Sequence, residues 1–138
     1  MHRRDARLLV VDDSPLSRVA THHALRALGC RVIDEAGEYP RALELMGEQH
    51  YDLVISNWKN GGRELLQLIR HTPGLASTPV VIATPVTAEV VAEASEAGVS
   101  AFLPRPFGAQ TLEEVLRIFI GKRSPAESAR ASSRAFVS

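Results

Sequence analysis

Asp52-Leu53-Val54-Ile55-Ser56-Asn57 is an apolar run closed by an amide, and its reading decides the fold. A short apolar stretch with β-branched members, bounded by polar residues, reads as a strand buried on both faces, as strands of parallel sheets are. Three more runs share that character. Leu8-Leu9-Val10-Val11 ends in the acid pair Asp12-Asp13, and Val80-Val81-Ile82-Ala83 ends in Thr84. Ala101-Phe102-Leu103 leads into Pro104-Arg105-Pro106-Phe107.

Helical patterns fill the spaces between these runs, which argues for βα units around a parallel sheet. Ser14 and Pro15 form an N-cap and first-turn pair, and Gly29 supplies a stop. Between them Leu16, Val19, Ala20, Ala24, Ala27 and Leu28 recur at helical spacing. Arg31-Val32-Ile33 reads as a further strand, and Pro40 opens a helix carrying Ala42, Leu43, Leu45 and Met46. Leu65, Leu66, Leu68 and Ile69 mark the next helix, which Thr72-Pro73-Gly74 ends. Val90, Val91, Ala94 and Ala97 precede a stop at Gly98. Thr111 is expected to cap a last helix with Leu112, Val115, Leu116 and Phe119 on its apolar face, ending at Gly121.

Composition sets bounds on function. A chain of 138 residues fits one domain with a proper core. Lys plus Arg and Asp plus Glu are 16 each, so overall charge argues for neither nucleic acid nor a membrane surface. The single Cys30 excludes an internal disulfide; with no signal peptide or long apolar stretch, a cytoplasmic protein without membrane insertion is expected. No Ser/His/Asp grouping or glycine-rich nucleotide loop stands out, and His2, His22, His23, His50 and His71 lack metal-ligand spacing. Trp58 is expected as a surface-loop aromatic.

Strand ends carrying an acid pair, an acceptor position, a hydroxyl and a cation, in that order, resemble the receiver domain of bacterial two-component response regulators. The resemblance implies a flavodoxin-like, doubly wound α/β fold: a five-stranded parallel sheet of order 2-1-3-4-5 with five helices. It implies a receiver domain over 1–121, followed by an arginine-containing flexible tail over 122–138. In the family, an aspartate at the position of Asn57 takes a phosphoryl group, and the acid pair, here Asp12 and Asp13, helps to hold Mg2+. Thr84 and Phe102 match the family's switch pair, and Arg105 stands in place of the lysine of its Lys-Pro-Phe motif. The corresponding bond in the family is cis, which makes Arg105-Pro106 a candidate cis peptide.

The departures from the pattern are as informative as the matches. An amide oxygen is a poor nucleophile, so acyl-phosphate chemistry is not expected at Asn57. The loss of one carboxylate leaves the Mg2+ site weak or absent. The Met-Pro pair that usually follows the acceptor is missing, and the loop Trp58-Lys59-Asn60-Gly61-Gly62 is about three residues shorter than in the family pattern, with Gly61-Gly62 expected as a flexible turn. Arg105, planar and bidentate where lysine is a point charge, is expected to pair with Asp12 or Asp13 and close the pocket. Together these features describe a degenerate pseudo-receiver, not an enzyme. The alternatives are a receiver that still accepts phosphate, on Asp12 or Asp13, and a ligand-free adaptor.

In the tail, Lys122, Arg123, Arg130 and Arg134 stand against Glu127 alone, four cations against one acid for a net +3. Guanidinium forks pair with phosphate and with guanine edges. Stand-alone receivers with arginine-rich C-terminal segments form a subset of the family that binds cyclic di-GMP and docks on the flagellar motor. The tail is similar to theirs in composition and position, which makes Arg123, Arg130 and Arg134 the candidate ligand-binding residues. Without aromatic interleaving or a basic body, nucleic acid is not expected as a partner. No output domain follows, so signalling is expected by contact with a protein, such as a histidine kinase, the flagellar motor or another signalling protein. The family's usual surface corresponds to 86–120.

Overall fold

The computed structural model describes residues 2–122. After a single 3-10 turn at Arg3–Asp5, five strands alternate with five helices. These are β1 (Arg7–Val11), α1 (Pro15–Ala27), β2 (Val32–Ala36), α2 (Tyr39–Glu48) and β3 (Leu53–Asn57), then α3 (Gly62–His71), β4 (Val80–Thr84), α4 (Ala88–Ala97), β5 (Ala101–Pro104) and α5 (Ala109–Ile120). All strand pairs are parallel and the order is β2-β1-β3-β4-β5. This is the flavodoxin-like doubly wound architecture expected above.

The sheet separates two apolar cores, and its strands feed both by alternation. Leu8 and Val10, Leu53 and Ile55, and Val81 and Ala83 pack with α1 and α5, around Leu25, Leu112 and Leu116. Leu9 and Val11, Val54, Val80 and Ile82 pack with α2, α3 and α4, around Met46, Leu66 and Ile69. Every residue of β4 is buried, which is why the three central strands read as continuous apolar runs.

Four details differ from the sequence expectations. First, β2 extends beyond Ile33 to Ala36 through Asp34 and Glu35, because an edge strand need bury only part of its surface. Its acids are paired: Tyr51 donates to Asp34 at 2.6 Å, and Arg18 Nε lies 3.0 Å from Glu35. Burial, reinforced by the Asp34 carboxylate, raises the Tyr51 phenol well above its ordinary pKa.

Second, α1 is rotated from the face its apolar residues suggest. It buries Thr21 and Leu25 and leaves Leu16 82% and Val19 45% exposed. Polar anchors on the other side set the rotation. The hydroxyl of Ser17 donates to Asp12 at 2.6 Å, and Arg18 donates to the Asp12 carbonyl at 2.7 Å.

Third, α5 begins at Ala109 with Gly108 as N-cap, not at a Thr111 cap. The amide of Leu112 already bonds to the Gly108 carbonyl at 3.2 Å, which places Thr111 inside the first turn. Fourth, Trp58 is buried in the α2–α4 core, its large apolar surface folded back beside the end of β3.

The stop expected at Gly29 closes α1 by a Schellman pattern. Gly29, at φ +99°, donates to Arg26, while Cys30 donates to Leu25 and packs with it in the core. At the opposite end of the molecule from the acid pair, fully buried Arg3 links the N-terminal turn to α1 and α5. It forms a fork to Glu113, with both contacts at 2.7 Å, and also donates to the carbonyls of Leu28 and Gly121. No described helix is long and apolar enough to cross a membrane.

Candidate functional site

The carboxyl ends of β1, β3, β4 and β5 bring together Asp12, Asp13, Asn57, Thr84 and Arg105, at the edge where doubly wound sheets carry their sites. Asp12 lies directly beyond β1 and is almost fully buried. One of its oxygens accepts the Ser14 amide at 3.0 Å. The other accepts the Ser17 hydroxyl at 2.6 Å and Arg105 Nη2 at 3.1 Å. Arg105 Nη1 donates to that same hydroxyl at 2.6 Å, so aspartate, serine and arginine form a closed triangle. The Arg105–Pro106 peptide is cis.

Asp13 points outward and meets two amides. Asn57 Nδ2 donates to one carboxylate oxygen at 2.8 Å and Asn60 Nδ2 to the other at 2.7 Å. A carboxylate only accepts, so the bonding fixes which end of each amide faces it. Asn57 therefore presents its nitrogen, not its carbonyl oxygen, to the acid pair.

The turn after Asn57 is tightly held, which corrects the expectation of a flexible Gly61-Gly62. Four residues, Trp58 to Gly61, separate β3 from α3. Asn60 and Gly61 both adopt the left-handed conformation, with φ +57° and +110°. Gly62 is buried against the strand end, where an added Cβ would stand 1.9 Å from the Asn57 carbonyl oxygen. A side chain at Gly62 cannot be accommodated while α3 keeps its place.

Thr84 is buried and donates to the Pro85 carbonyl at 3.2 Å. Phe102 is half-buried and packs against the α2–α4 core. The structure thus joins Arg105 to Asp12 and Asn57 to Asp13, and leaves Thr84 and Phe102 outside that network. Arg123, Arg130 and Arg134 lie outside the described residues. Sequence reasoning missed Ser17, Arg18 and Asn60. Ser17, five residues past Asp12 in the first turn of α1, and Asn60, before a glycine, carried faint signals of position and turn chemistry.

A divalent cation such as Mg2+ needs several oxygen ligands with free lone pairs in octahedral array. Here a guanidinium and a hydroxyl already occupy one Asp12 oxygen, amide hydrogens occupy both Asp13 oxygens, and Asn57 directs a nitrogen at the cluster. Among the described residues no three His, Cys, Asp or Glu side chains converge as a ligand group. The donor set does not suit the metal.

Comparison with known proteins places this geometry in context. A family model described as the response regulator receiver domain matches residues 8–117. The chain is 32% identical over 117 residues to the chemotaxis protein CheY-3 of Vibrio cholerae, an alignment that covers 82% of this chain and 90% of that protein. It is equally identical over 115 residues to the chemotaxis protein CheY of Pseudomonas aeruginosa, covering 78% and 90%. The solved structure of the V. cholerae chemotaxis response regulator CheY4 superposes with a TM-score of 0.76 at 27% identity, over 83% of this chain and 98% of that one. The receiver domain of a P. aeruginosa sensor histidine kinase, solved with magnesium in its active-site cleft, shares the fold with a TM-score of 0.76 at 23% identity, over 85% and 98%. By sequence match and by fold, this chain belongs to the response regulator receiver domain family.

Proposed function

We propose that this chain is a receiver that signals without accepting a phosphoryl group, and acts by contact with a protein partner instead of by catalysis. One observation carries the reading: the residue at the end of β3 is Asn57, whose amide nitrogen is bonded to Asp13. Phosphoryl acceptance needs a nucleophile with a free lone pair aimed outward, and a neutral amide supplies none. The short, closed turn from Trp58 to Gly62 supports the same reading.

The partner surface is the 86–120 stretch. Val86, Val91 and Ile118, exposed by 44%, 37% and 73%, give this stretch apolar contact area suited to a protein partner, such as a histidine kinase, a flagellar motor component or another signalling protein. Control by cyclic di-GMP through Arg123, Arg130 and Arg134 completes the proposal, since guanidinium forks match its phosphates and guanine edges.

Two experiments test it. An autophosphorylated histidine kinase is expected to keep its label when mixed with this chain, over times in which a receiver with an aspartate acceptor takes it. Transfer to this chain overturns the phosphate-independent reading. Calorimetric titration with cyclic di-GMP is expected to give micromolar binding that Arg130→Ala and Arg134→Ala each weaken by about tenfold, the worth of one charge-assisted hydrogen bond. The absence of heat removes the ligand and leaves an adaptor.

A further inference from the structure

We infer that Arg105 is the resident cation of this pocket: its guanidinium holds the place at Asp12 that a divalent ion would need, so the pocket is locked by the protein and indifferent to metal. The inference deepens the phosphate-independent reading and rests on it.

Three observations carry it. The Asp12 side chain is 4% exposed, and an anion so buried must have a counter-charge. Arg105 supplies it at 3.1 Å through its planar guanidinium fork. The fork is also bound to the Ser17 hydroxyl, which itself donates to Asp12, so moving Arg105 breaks two hydrogen bonds and leaves the buried carboxylate without its counter-charge. Finally, Arg105 Nε is buried and finds no partner among the described residues. The guanidinium gives up one of its donors in order to hold this position, so Asp12 and Ser17, not general solvation, determine where it sits.

The lock also spans the structure. Ser17 belongs to α1 and Arg105 to the β5–α5 connection, so the triangle fixes α1 against the end of the sheet. The rotation of α1 that exposes Leu16 and Val19 follows from these anchors. In a site neutralised by a loosely held ion, that orientation would depend on metal; here it is built into the chain.

The test is a Mn2+ titration of the full chain, with free Mn2+ read by its paramagnetic resonance signal and Trp58 fluorescence as a second readout. Wild type and Asn57→Asp are both expected to leave Mn2+ free at millimolar concentration. Arg105→Gln is expected to bind it measurably, and Asn57→Asp/Arg105→Gln at least about tenfold more tightly than Arg105→Gln, because affinity follows ligand charge. Should Arg105→Gln fold poorly, Ser17→Ala removes one anchor of the fork and keeps the charge, and is expected to admit Mn2+ weakly. Wild type binding Mn2+ as tightly as the Arg105 variant overturns the lock. So does Asn57→Asp alone binding as tightly as the double variant, since the block is then the missing carboxylate. Neither result touches the phosphate-independent reading, which fails only if wild type takes a phosphoryl group.

Discussion

Arg3→Met is expected to lower the free energy of unfolding by about 3 kcal/mol, the low end of the cost of breaking a buried ion pair. Arg3 is fully buried and bonds through its fork to Glu113, whose side chain remains 23% exposed. Removing the guanidinium leaves that carboxylate without its main partner and the carbonyls of Leu28 and Gly121 without a donor. Water can reach Glu113 in part, which is why the low end of the range applies. The loss corresponds to a fall in Tm of roughly 10 °C for a domain of this size, measurable by circular dichroism. The double variant Arg3→Met/Glu113→Leu is expected to recover part of it, because an apolar pair of similar volume leaves no charge stranded. A loss below about 1 kcal/mol would show that the pair contributes little beyond its own desolvation.

Gly62→Ala carries the second large effect. Its Cβ would meet the carbonyl oxygen of Asn57 at 1.9 Å and the carbonyl carbon at 2.8 Å. Both are backbone atoms at the end of a central strand, so no rotamer change relieves the clash. Either α3 or the end of β3 must move, and a loss of about 3 kcal/mol or more is expected, at the upper end of overpacking costs. Trp58 lies between them and reports the shift as a change in fluorescence. Gly61→Ala is expected to be costly for a different reason, combining φ +110° with a Cβ 2.6 Å from the Tyr39 ring. An unchanged melting temperature for Gly62→Ala would mean that the turn after the strand is loose, and the closed site described above would lose its support.

The parts of this molecule that were legible in the sequence are those governed by period and polarity. Strands β1, β3 and β4 are buried on both faces and so appear as unbroken apolar runs. Asp12, Asp13, Asn57, Thr84 and Arg105 stand at strand ends, where the alternation of strand and helix places them without knowledge of side-chain contacts. The face of α1 was not legible. Its apolar residues suggested Leu16 and Val19 inward, but hydrogen bonds from Ser17 and Arg18 to Asp12 decide its rotation, and polar anchoring to the preceding strand end leaves no trace in the apolar period. Asn60 was missed because its partner Asp13 is 47 residues away. The turn at Gly61-Gly62 was misread because a glycine pair signals flexibility and close approach with the same letters, and only the position of the Asn57 carbonyl distinguishes them.

The departure at Asn57 acquires its meaning from its neighbours. A lone amide in place of a carboxylate removes one negative charge and still leaves the two acids in need of donors. Here Arg105 and Ser17 satisfy Asp12, while Asn57 and Asn60 satisfy Asp13, so the substitution is matched by donors from α1, the β3–α3 turn and the β5–α5 connection. That coherence ties the absence of a nucleophile to the way the rest of the site is held.

Intact mass spectrometry of the full chain after incubation with acetyl phosphate and Mg2+ shows whether this receiver takes a phosphoryl group. A receiver with an aspartate acceptor, treated in parallel, shows that the donor is active. The mass of this chain is expected to stay unchanged while the control gains one phosphoryl group. A phosphoryl adduct on this chain, lost in Asp12→Asn or Asp13→Asn, would overturn the phosphate-independent reading and make the acid pair the acceptor.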